Sequence, residues 1–435
     1  MAEIRPLRAW RYNPEILPDI DSLTSPLFDV VSKRQREVLY HNPNNSIHVS
    51  VPLGNNPALS ARKTLDLWKK EKIIIQDPIP GIYVYYQYFT LAGEHKELCR
   101  KGFIVNIRAY DWDERIILRH ENTMSGSVND RKEILMETEF HASPTHGLYT
   151  DPAFSLEKFM DESMLTPIYE TEDYQGVREV LSVIHDAEVI NQFVQLIKDK
   201  QIILADGHHR YEGSLAYKRT CMVNNPKHSG DEAYNYHFMY LTNTELDDLR
   251  ILPTHRVISG LPDFNESELL SKLADDFTIK TIEDAFDVNL IIQGKKAAFG
   301  LLIGENAYKL RLKDGKIQEL KWKFPDEIKN LDLTILHYFI IEKALGIAGK
   351  DQRNSQYIQF DKSFPDCLNR VISKKVQMAI ITQDIAIEDV KKVCYSGYTL
   401  PPKATYFFPK VICGFLFSSI KEDEFELYPD SWNQV

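Results

Sequence analysis

Apolar positions along this chain switch repeatedly between two periods. In "NPALSARKTLDLWKKEK" they recur every three to four residues, which predicts an amphipathic helix. "GIYVYYQYF" (81–89) and "GFIVNIRAY" (102–110) are aromatic and β-branched, which predicts strands. The run "YVYYQYF" also has the composition of a stacking platform, but a packed strand accounts for it. From about 165 to 200 helical spacing dominates, and "DAEVINQFVQLIKDK" sets Val189, Ile190, Phe193, Val194 and Ile197 on one face. A strand "QIILAD" (201–206) follows, then a turn "GHHR", then a helix to about residue 222. "YHFMYLTN" (236–243) is predicted as a strand and "ILPTHRVI" (251–258) as an extended piece.

Beyond residue 260, "ESELLSKLADDF" predicts a helix, and "AAFGLLIGENAYKLRLKDGK" a hairpin with a Gly-Glu-Asn turn. "LDLTILHYFIIEKALGI" predicts a long apolar helix ending at Gly346. "VQMAIIT" (376–382) predicts a strand, and "IEDVKKVCYSG" a helix closed by Gly397. "TYFFPKVICGFLFSSI" predicts a strand pair, and "KEDEFELYPDSWNQV" a loose acidic tail. No internal repeat or low-complexity tract interrupts this order. Helix and strand interleave irregularly, so the expected fold class is α+β, with mixed sheets and interleaved helices. Three regions are expected: an N-terminal α/β region over 1–150, a central module over 151–260, and a C-terminal α/β region over 261–435.

Composition narrows the function. The 435 residues carry a formal net charge of -11, and such a surface repels phosphate backbones, so nucleic acid is not an expected partner. Cys99, Cys221, Cys367, Cys394 and Cys413 are odd in number and contain no C-x-x-C, which argues against a disulfide framework or structural zinc. The start, "MAEIRPLRAWRYNP", has no apolar signal core. "LTILHYFII" and "VICGFLFSSI" are far shorter than the ~20 residues of a membrane helix. The expectation is a cytoplasmic protein that does not enter the membrane.

The densest chemistry lies in "LADGHHRYEGSLAYKR", residues 204–219. Gly207 permits a sharp turn and close approach of a ligand. A helix starting near His208 or His209 aims unpaired N–H groups into that turn, a setting that favours an anion. Arg210 offers a planar fork matched to phosphate oxygens. His209 can donate a hydrogen bond or move a proton, and Asp206 is placed as a general base or Mg²⁺ ligand. Against this stands the bland reading, in which Asp206 caps the helix and Arg210 is a surface charge. Zinc is disfavoured because His208 and His209 lack the i, i+4 spacing, and no G-x-S-x-G elbow suggests a serine hydrolase.

Further candidates are scattered. His120 and Glu121 in "RHENT" are expected as acid/base groups or Mg²⁺ ligands, with Thr123 and Arg131 on a phosphate, or as a bonded loop and a capped helix at "NDRKEIL". His255 and Arg256 are expected as a buried histidine and a surface arginine, with a second phosphate contact as the alternative. Lys403, Thr405, Tyr406 and Lys410 mix basic and aromatic character suited to a nucleotide, although a strand bounded by prolines explains them too. Asp29 is expected in a turn or cap.

Two resemblances follow from these residues. The turn "DGHHR" resembles the nucleotide-phosphate turn of the ParB and sulfiredoxin superfamily, which also holds a free-serine kinase. That resemblance implies a ParB/sulfiredoxin-like central module in which Gly207, His209 and Arg210 contact phosphates. His208 stands where sulfiredoxin has its reactive cysteine, so sulfiredoxin chemistry is not implied. Over nearly the whole length, "IRPLRAWRYNP", "SPLFDVVS", "NPNNSIHVSVP", "RHENTMSGSVNDR", "ADGHHRYEGSLAY", "ILPTHRVI", "LDLTILHYFIIEKALGI" and "LPPKATYFFPKVICGFL" resemble an uncharacterised family, domain of unknown function one thousand and fifteen. Leu27, Phe28 and Ala404 depart from its usual pattern. Together the expectations are a small-molecule phosphotransferase using ATP or another nucleotide with Mg²⁺. The alternatives are a nucleotide-gated regulatory protein and a metal-dependent hydrolase built on the His208–His209 pair. Substrate, bound metal and oligomeric state are left open.

Overall fold

The computed structural model describes residues 1–91, 93–401 and 403–425, and its fold is α+β. The chain forms two compact units. The first takes Met1–Arg119, Thr123–Leu249 and the chain from Pro409; the second takes His120–Asn122 and Arg250–Phe408.

The first unit is built on a nine-stranded mixed sheet. Its strands run in the order Ile117–Arg119, Ile202–Asp206, Thr145–Tyr149, Tyr236–Asn243, Leu98–Arg108, Ile82–Phe89, Arg178–Ile184 and Tyr169–Glu172, with Ile4–Arg5 paired on Leu98–Arg108. Both faces are covered, so strands that would alternate apolar and polar in a half-exposed sheet are apolar throughout. Ile82, Val84 and Tyr86 enter one core with the helix Ala187–Lys198. Tyr83 and Tyr85 enter the other, with Trp68 and Phe417. This two-sided burial is why "YVYYQYF" carries so many aromatic rings. On the helix, Ile190, Phe193 and Ile197 are buried, and Phe193 meets Phe103 edge-on at 4.8 Å.

Two sequence expectations need correction here. Helical structure between 165 and 200 is confined to Ala187–Lys198, because Tyr169–Glu172 and Arg178–Ile184 are sheet strands. Their alternation had been masked by the longer helical pattern that follows. The last strands, Tyr406–Phe408 and Ser418–Ser419, do not pair with each other. The first pairs with Arg250–Leu252 and the second with Phe140–His141, the chain passing from the second unit to the first between Phe408 and Pro409. The start of the acidic tail is also held: Glu424 accepts from Lys69 and from the Trp10 indole. Residues 426–435 of that tail lie outside the described residues.

The second unit has a six-stranded sheet in the order Phe277–Ile282, Asn306–Leu312, Ala298–Ile303, Met378–Ile381, His255–Ile258 and Ile358–Asp361. The hairpin at "AAFGLLIGENAYKL" pairs Ile303 with Asn306 around Gly304 and Glu305. The apolar helix expected up to Gly346 is α only over Asp332–Ile335; Leu336–Ala344 winds as a π-helix. Among the described residues, no helix is long and apolar enough to cross a membrane.

Close strand packing sets one firm limit. A Cβ at Gly102 would lie 2.4 Å from the Leu241 carbonyl oxygen and 2.5 Å from a Tyr240 ring carbon. Gly102→Ala is therefore expected to cost about 1–3 kcal/mol, read as a lower urea midpoint. An unchanged midpoint would show that the strands can separate to admit a methyl group.

Candidate functional site

The strand Ile202–Asp206 carries the sequence's strongest motif to the edge of a buried polar row. Its register against Thr145–Tyr149 shifts between Leu204 and Asp206, so Leu204 pairs with Gly147 and Asp206 with His146. Strict alternation would return Asp206 to the apolar side of Leu204; the extra residue turns it across to His146 instead. The chain then bends at Gly207, whose φ of +91° is costly for any other residue, and a Cβ there would meet Thr145 at 2.7 Å. The helix His208–Asn224 starts immediately after.

Asp206 is held by two cations. Arg210 Nη2 donates to its Oδ2 at 3.0 Å, and Lys410 Nζ donates to its Oδ1. Burial opposes the ionised form, but the Lys410 and Arg210 charges outweigh it and hold the carboxyl well below its usual range. Such a carboxylate takes up no proton near neutral pH, which disfavours the general-base role expected for Asp206. Arg210 is not a surface charge either. Its Nη1 donates to Ser143 Oγ at 3.1 Å and to the Pro144 carbonyl, and its Nε is buried without a partner.

Several histidines gather around this cluster. Burial above all, then the Arg100 charge, drives His146 well below its ordinary value, so it is neutral; it bonds Thr242 Oγ1 at 2.8 Å and stacks on Tyr240. His237 joins Thr145 Oγ1 at 2.9 Å to Ser214 Oγ at 2.7 Å. His141 is pushed down to about 4 by burial, and its Nε2 has no partner. Of the adjacent pair in the motif, His208 is buried, whereas His209 accepts the Met124 backbone N–H at 3.1 Å, just ahead of the helix Ser125–Thr138.

The row continues across the sheet through paired positions: His146 beside Tyr240, Gly102 beside Thr242, then Arg100, Gln87 and Glu179. Arg100 is 0% exposed, gives Nη2 to Gln87, and leaves Nε and Nη1 without partners. Glu179 accepts from Tyr85 Oη at 2.6 Å and Gln87 Nε2 at 3.1 Å. Burial raises it to about 8, so it is mostly protonated at neutral pH. Two enclosed cations, Arg210 and Lys410, therefore face one ionised carboxylate, and a third, Arg100, stands further along the row beside Gln87 and the mostly protonated Glu179.

Beside this row lies a small cavity of about 40 Å³, lined by Ser50, Arg131, His141, Ser143 and Arg210 among others. It has room for a few waters or a small anionic group. Arg131 reaches it from the helix Ser125–Thr138, where Nη1 donates to the Ser50 carbonyl at 2.8 Å, Nε and Nη2 donate to the half-exposed Asp130 carboxylate, and the guanidinium lies 4.4 Å from the Phe28 ring centre. That helix can lie close because the facing position is Gly213, where a Cβ would meet Arg131 Cβ at 2.9 Å. Arg131 and Arg210, far apart in sequence, thus line one pocket.

The remaining candidates divide between the units. His120, Glu121 and Lys403 belong to the second unit, Lys410 to the first. His120 Nε2 bonds Thr405 Oγ1 at 2.8 Å, Glu121 accepts the Ala404 N–H at 3.3 Å, and Lys403 is exposed with φ of +53°. Arg256, expected at the surface, is fully buried. Its Nε donates to His337 Nε2 at 3.2 Å, and burial pushes it down to about 9. His255 accepts the Thr382 N–H at 3.2 Å, and burial pushes it down to about 4. Thr123 is half-buried in the first unit, and Asp29 is exposed in a turn. Among the described residues, no group of three His, Cys, Asp or Glu could hold a metal ion.

The fold and this enclosed cationic row define an α+β protein with a built polar site. The chain belongs to the family described as "Protein of unknown function (DUF1015)", whose model matches residues 4–334. No curated protein matches it. Among solved structures, a conserved hypothetical protein from Pyrococcus furiosus is 12% identical, with a TM-score of 0.35, over 71% of this chain and 92% of its own. A free serine kinase in complex with AMP is 13% identical, with a TM-score of 0.35, over 70% and 86%. SbnI with C-terminal truncation from Staphylococcus aureus is 10% identical, with a TM-score of 0.37, over 76% and 92%. Likeness at this level assigns neither a site nor an activity to this chain.

Asp206→Asn strands two buried cations and is expected to cost about 3–5 kcal/mol. Because the folded carboxyl is held below its unfolded value, its contribution is present above about pH 4 and is lost as pH falls further. Urea melts of wild type and Asp206→Asn should therefore converge below pH 4. A gap independent of pH would remove the ion cluster as its cause.

Proposed function

We propose that this protein is a nucleotide-phosphate-binding enzyme, a small-molecule phosphotransferase, and that the Arg131–Arg210 pocket takes the phosphate. The observation that carries the reading is the surplus of enclosed positive charge. Arg210 and Lys410 face a single ionised carboxylate, Arg100 stands beside a mostly protonated Glu179, and three guanidinium nitrogens, on Arg100 and Arg210, have no hydrogen-bond partner. Enclosed charge without a counter-charge is costly, and an anionic ligand offsets that cost. Arginine matches phosphate oxygens through its planar fork. The likeness of "DGHHR" to a nucleotide-phosphate turn points the same way.

In this proposal Arg131 and the open edge of Arg210 hold phosphate oxygens, and the hydroxyls of Ser50 and Ser143 are hydrogen-bond donors within the pocket. Asp206 acts indirectly: it keeps Arg210 and Lys410 in place. Neutral His141 lines the same pocket, and an anion beside it would raise its proton affinity, because a neighbouring negative charge favours its charged form. Phosphoryl transfer needs chiefly positioning and charge stabilisation, which this set supplies. Mg²⁺ would enter with the phosphates rather than on a protein-only ligand set. The second unit contributes no residue to the proposal.

The test is a thermal-shift screen with ATP, ADP, CTP, GTP and pyrophosphate, with and without Mg²⁺, since a ligand of the native state raises its melting temperature. Arg131→Ala, which leaves the Asp206 cluster intact, is expected to weaken the binding ligand by about 1.5–3 kcal/mol, or ten- to a hundredfold. Unchanged affinity in Arg131→Ala, or no shift with any phosphate compound, would overturn the placement. Turnover of ATP in the presence of small hydroxyl acceptors separates an enzyme from a nucleotide-gated binding protein.

A further inference from the structure

The second unit contains a larger pocket, of about 410 Å³, lined by Trp322, Phe324, Thr334, Glu342 and Gly349 among others. That volume falls in the range of small-molecule sites. We propose that this pocket binds a planar, nucleobase-sized ring bearing an exocyclic amine. The proposal is independent of the phosphate site in the first unit.

The aromatic wall is fixed in place. Trp322 and Phe324 meet edge to face, their centroids 5.9 Å apart at 86°. Tyr338 also meets Trp322 edge to face, at 5.5 Å and 79°. The indole lies over the backbone at Gly349, where a Cβ would stand 2.7 Å from Trp322 Cζ2. Both rings are only half-buried, although the surrounding packing already fixes them. A preorganised pair of this kind accepts a flat ring without first losing side-chain entropy.

Lys350, Gln352 and Thr399 also line the pocket, and two further polar groups set the chemistry proposed for the ligand. Glu342 receives the Trp322 indole N–H at 3.3 Å and the Gly349 backbone N–H. An ionised carboxylate has about four acceptor positions, so these two donors leave capacity for a ligand amine. Thr334 is the second group. It is 1% exposed, lines the pocket, and its hydroxyl has no hydrogen-bond partner. A buried orphan hydroxyl costs roughly 1–3 kcal/mol, and a ring nitrogen or carbonyl in the pocket would satisfy it. Thr334 and Glu342 flank the turn from α-helix to the π-helix Leu336–Ala344. Such wide helical turns are rare and concentrate at functional sites.

Titration calorimetry on the full-length protein tests this with adenosine, which has the ring and amine but no phosphate. Inosine, with a carbonyl in place of the amine, is the control. Adenosine is expected to bind, and inosine to bind about tenfold more weakly, the loss of one hydrogen bond to a charged group. Glu342→Gln should weaken adenosine similarly. Thr334→Val should weaken adenosine about fivefold, one neutral hydrogen bond, yet raise the melting temperature of the free protein, because it replaces an orphan hydroxyl by an isosteric methyl. No binding of adenosine at millimolar concentration would overturn the proposal. So would equal binding of inosine, or affinity unchanged in both Glu342→Gln and Thr334→Val. Competition by pyrophosphate, or loss of adenosine binding in Arg131→Ala, would place the adenosine in the first unit and also overturn it. Failure of pyrophosphate to bind at all would count only against the phosphate reading.

Discussion

The carboxylate of Asp206 stands between Arg210, four residues on in the same motif, and Lys410, two hundred residues away in sequence. The first pair ties the strand end to the helix that follows. The second ties both to a segment that returns to the first unit only after the chain has built the second. Once Lys410 is fixed there, the rest of that segment is in place to add to the fold. Its carbonyl accepts Gln87 Nε2, Cys413 bridges to Ser25, Phe417 bridges to Trp10, and Glu424 meets Lys69. An enclosed ion cluster is a poor source of net stability. It is a strong source of specificity, because a register in which Asp206 pointed to the apolar side would leave both cations without an answer.

The surroundings show the same preference for order over stability. A sheet covered on both faces has no solvent to satisfy polar groups, so each one on the row needs a partner within the protein. Most have one. Gln87 bridges Arg100 to Glu179, His237 bridges Thr145 to Ser214, and His146 bonds Thr242. Burial also decides their charge. It makes His141, His146 and His237 neutral and lifts Glu179 toward 8. Of these groups only Glu179 could offset the positive surplus by ionising, and burial holds it mostly protonated, so the arginines and Lys410 keep their excess. Perturbed groups that converge on an enclosed row make it a candidate functional site.

Much of this was legible one element at a time. The strand, turn and helix around 201–222 appear as Ile202–Asp206, Gly207 and His208–Asn224, because the periodicity and the glycine are local signals. The hairpin near 304 and the helix closed by Gly397 follow for the same reason. The partners of the motif were not legible. Lys410 was read with Lys403, Thr405 and Tyr406 as one basic and aromatic segment, and only the fold separates it from them. Arg100, Gln87 and Glu179 sit at sheet positions where polar residues usually face water, so their burial depends on a second layer that no window of sequence contains. The π-helix was equally hidden, since the apolar pattern of "LHYFIIEKA" suits an α-helix as well. One usable signal lay in "RYEGSLAY": Gly213, inside a helical pattern, marks where the Arg131 helix comes close.

The unsatisfied atoms carry the argument about chemistry one step further. Native proteins leave few buried polar groups unpartnered. The arginine orphans, Arg210 Nε at the 206–210 turn and Arg100 Nε and Nη1 further along the row, are N–H donors, so whatever completes them must be an acceptor. Since those donors also carry the surplus charge, an anion answers both demands at once, whereas water answers only the first. The second unit's pocket has a different signature. Its orphan is a neutral hydroxyl, and of its two charged lining residues, Glu342 and Lys350, Glu342 has acceptor positions to spare. The two sites therefore select opposite ligand chemistries, one for acceptors bearing negative charge and one for a donor on a flat apolar body.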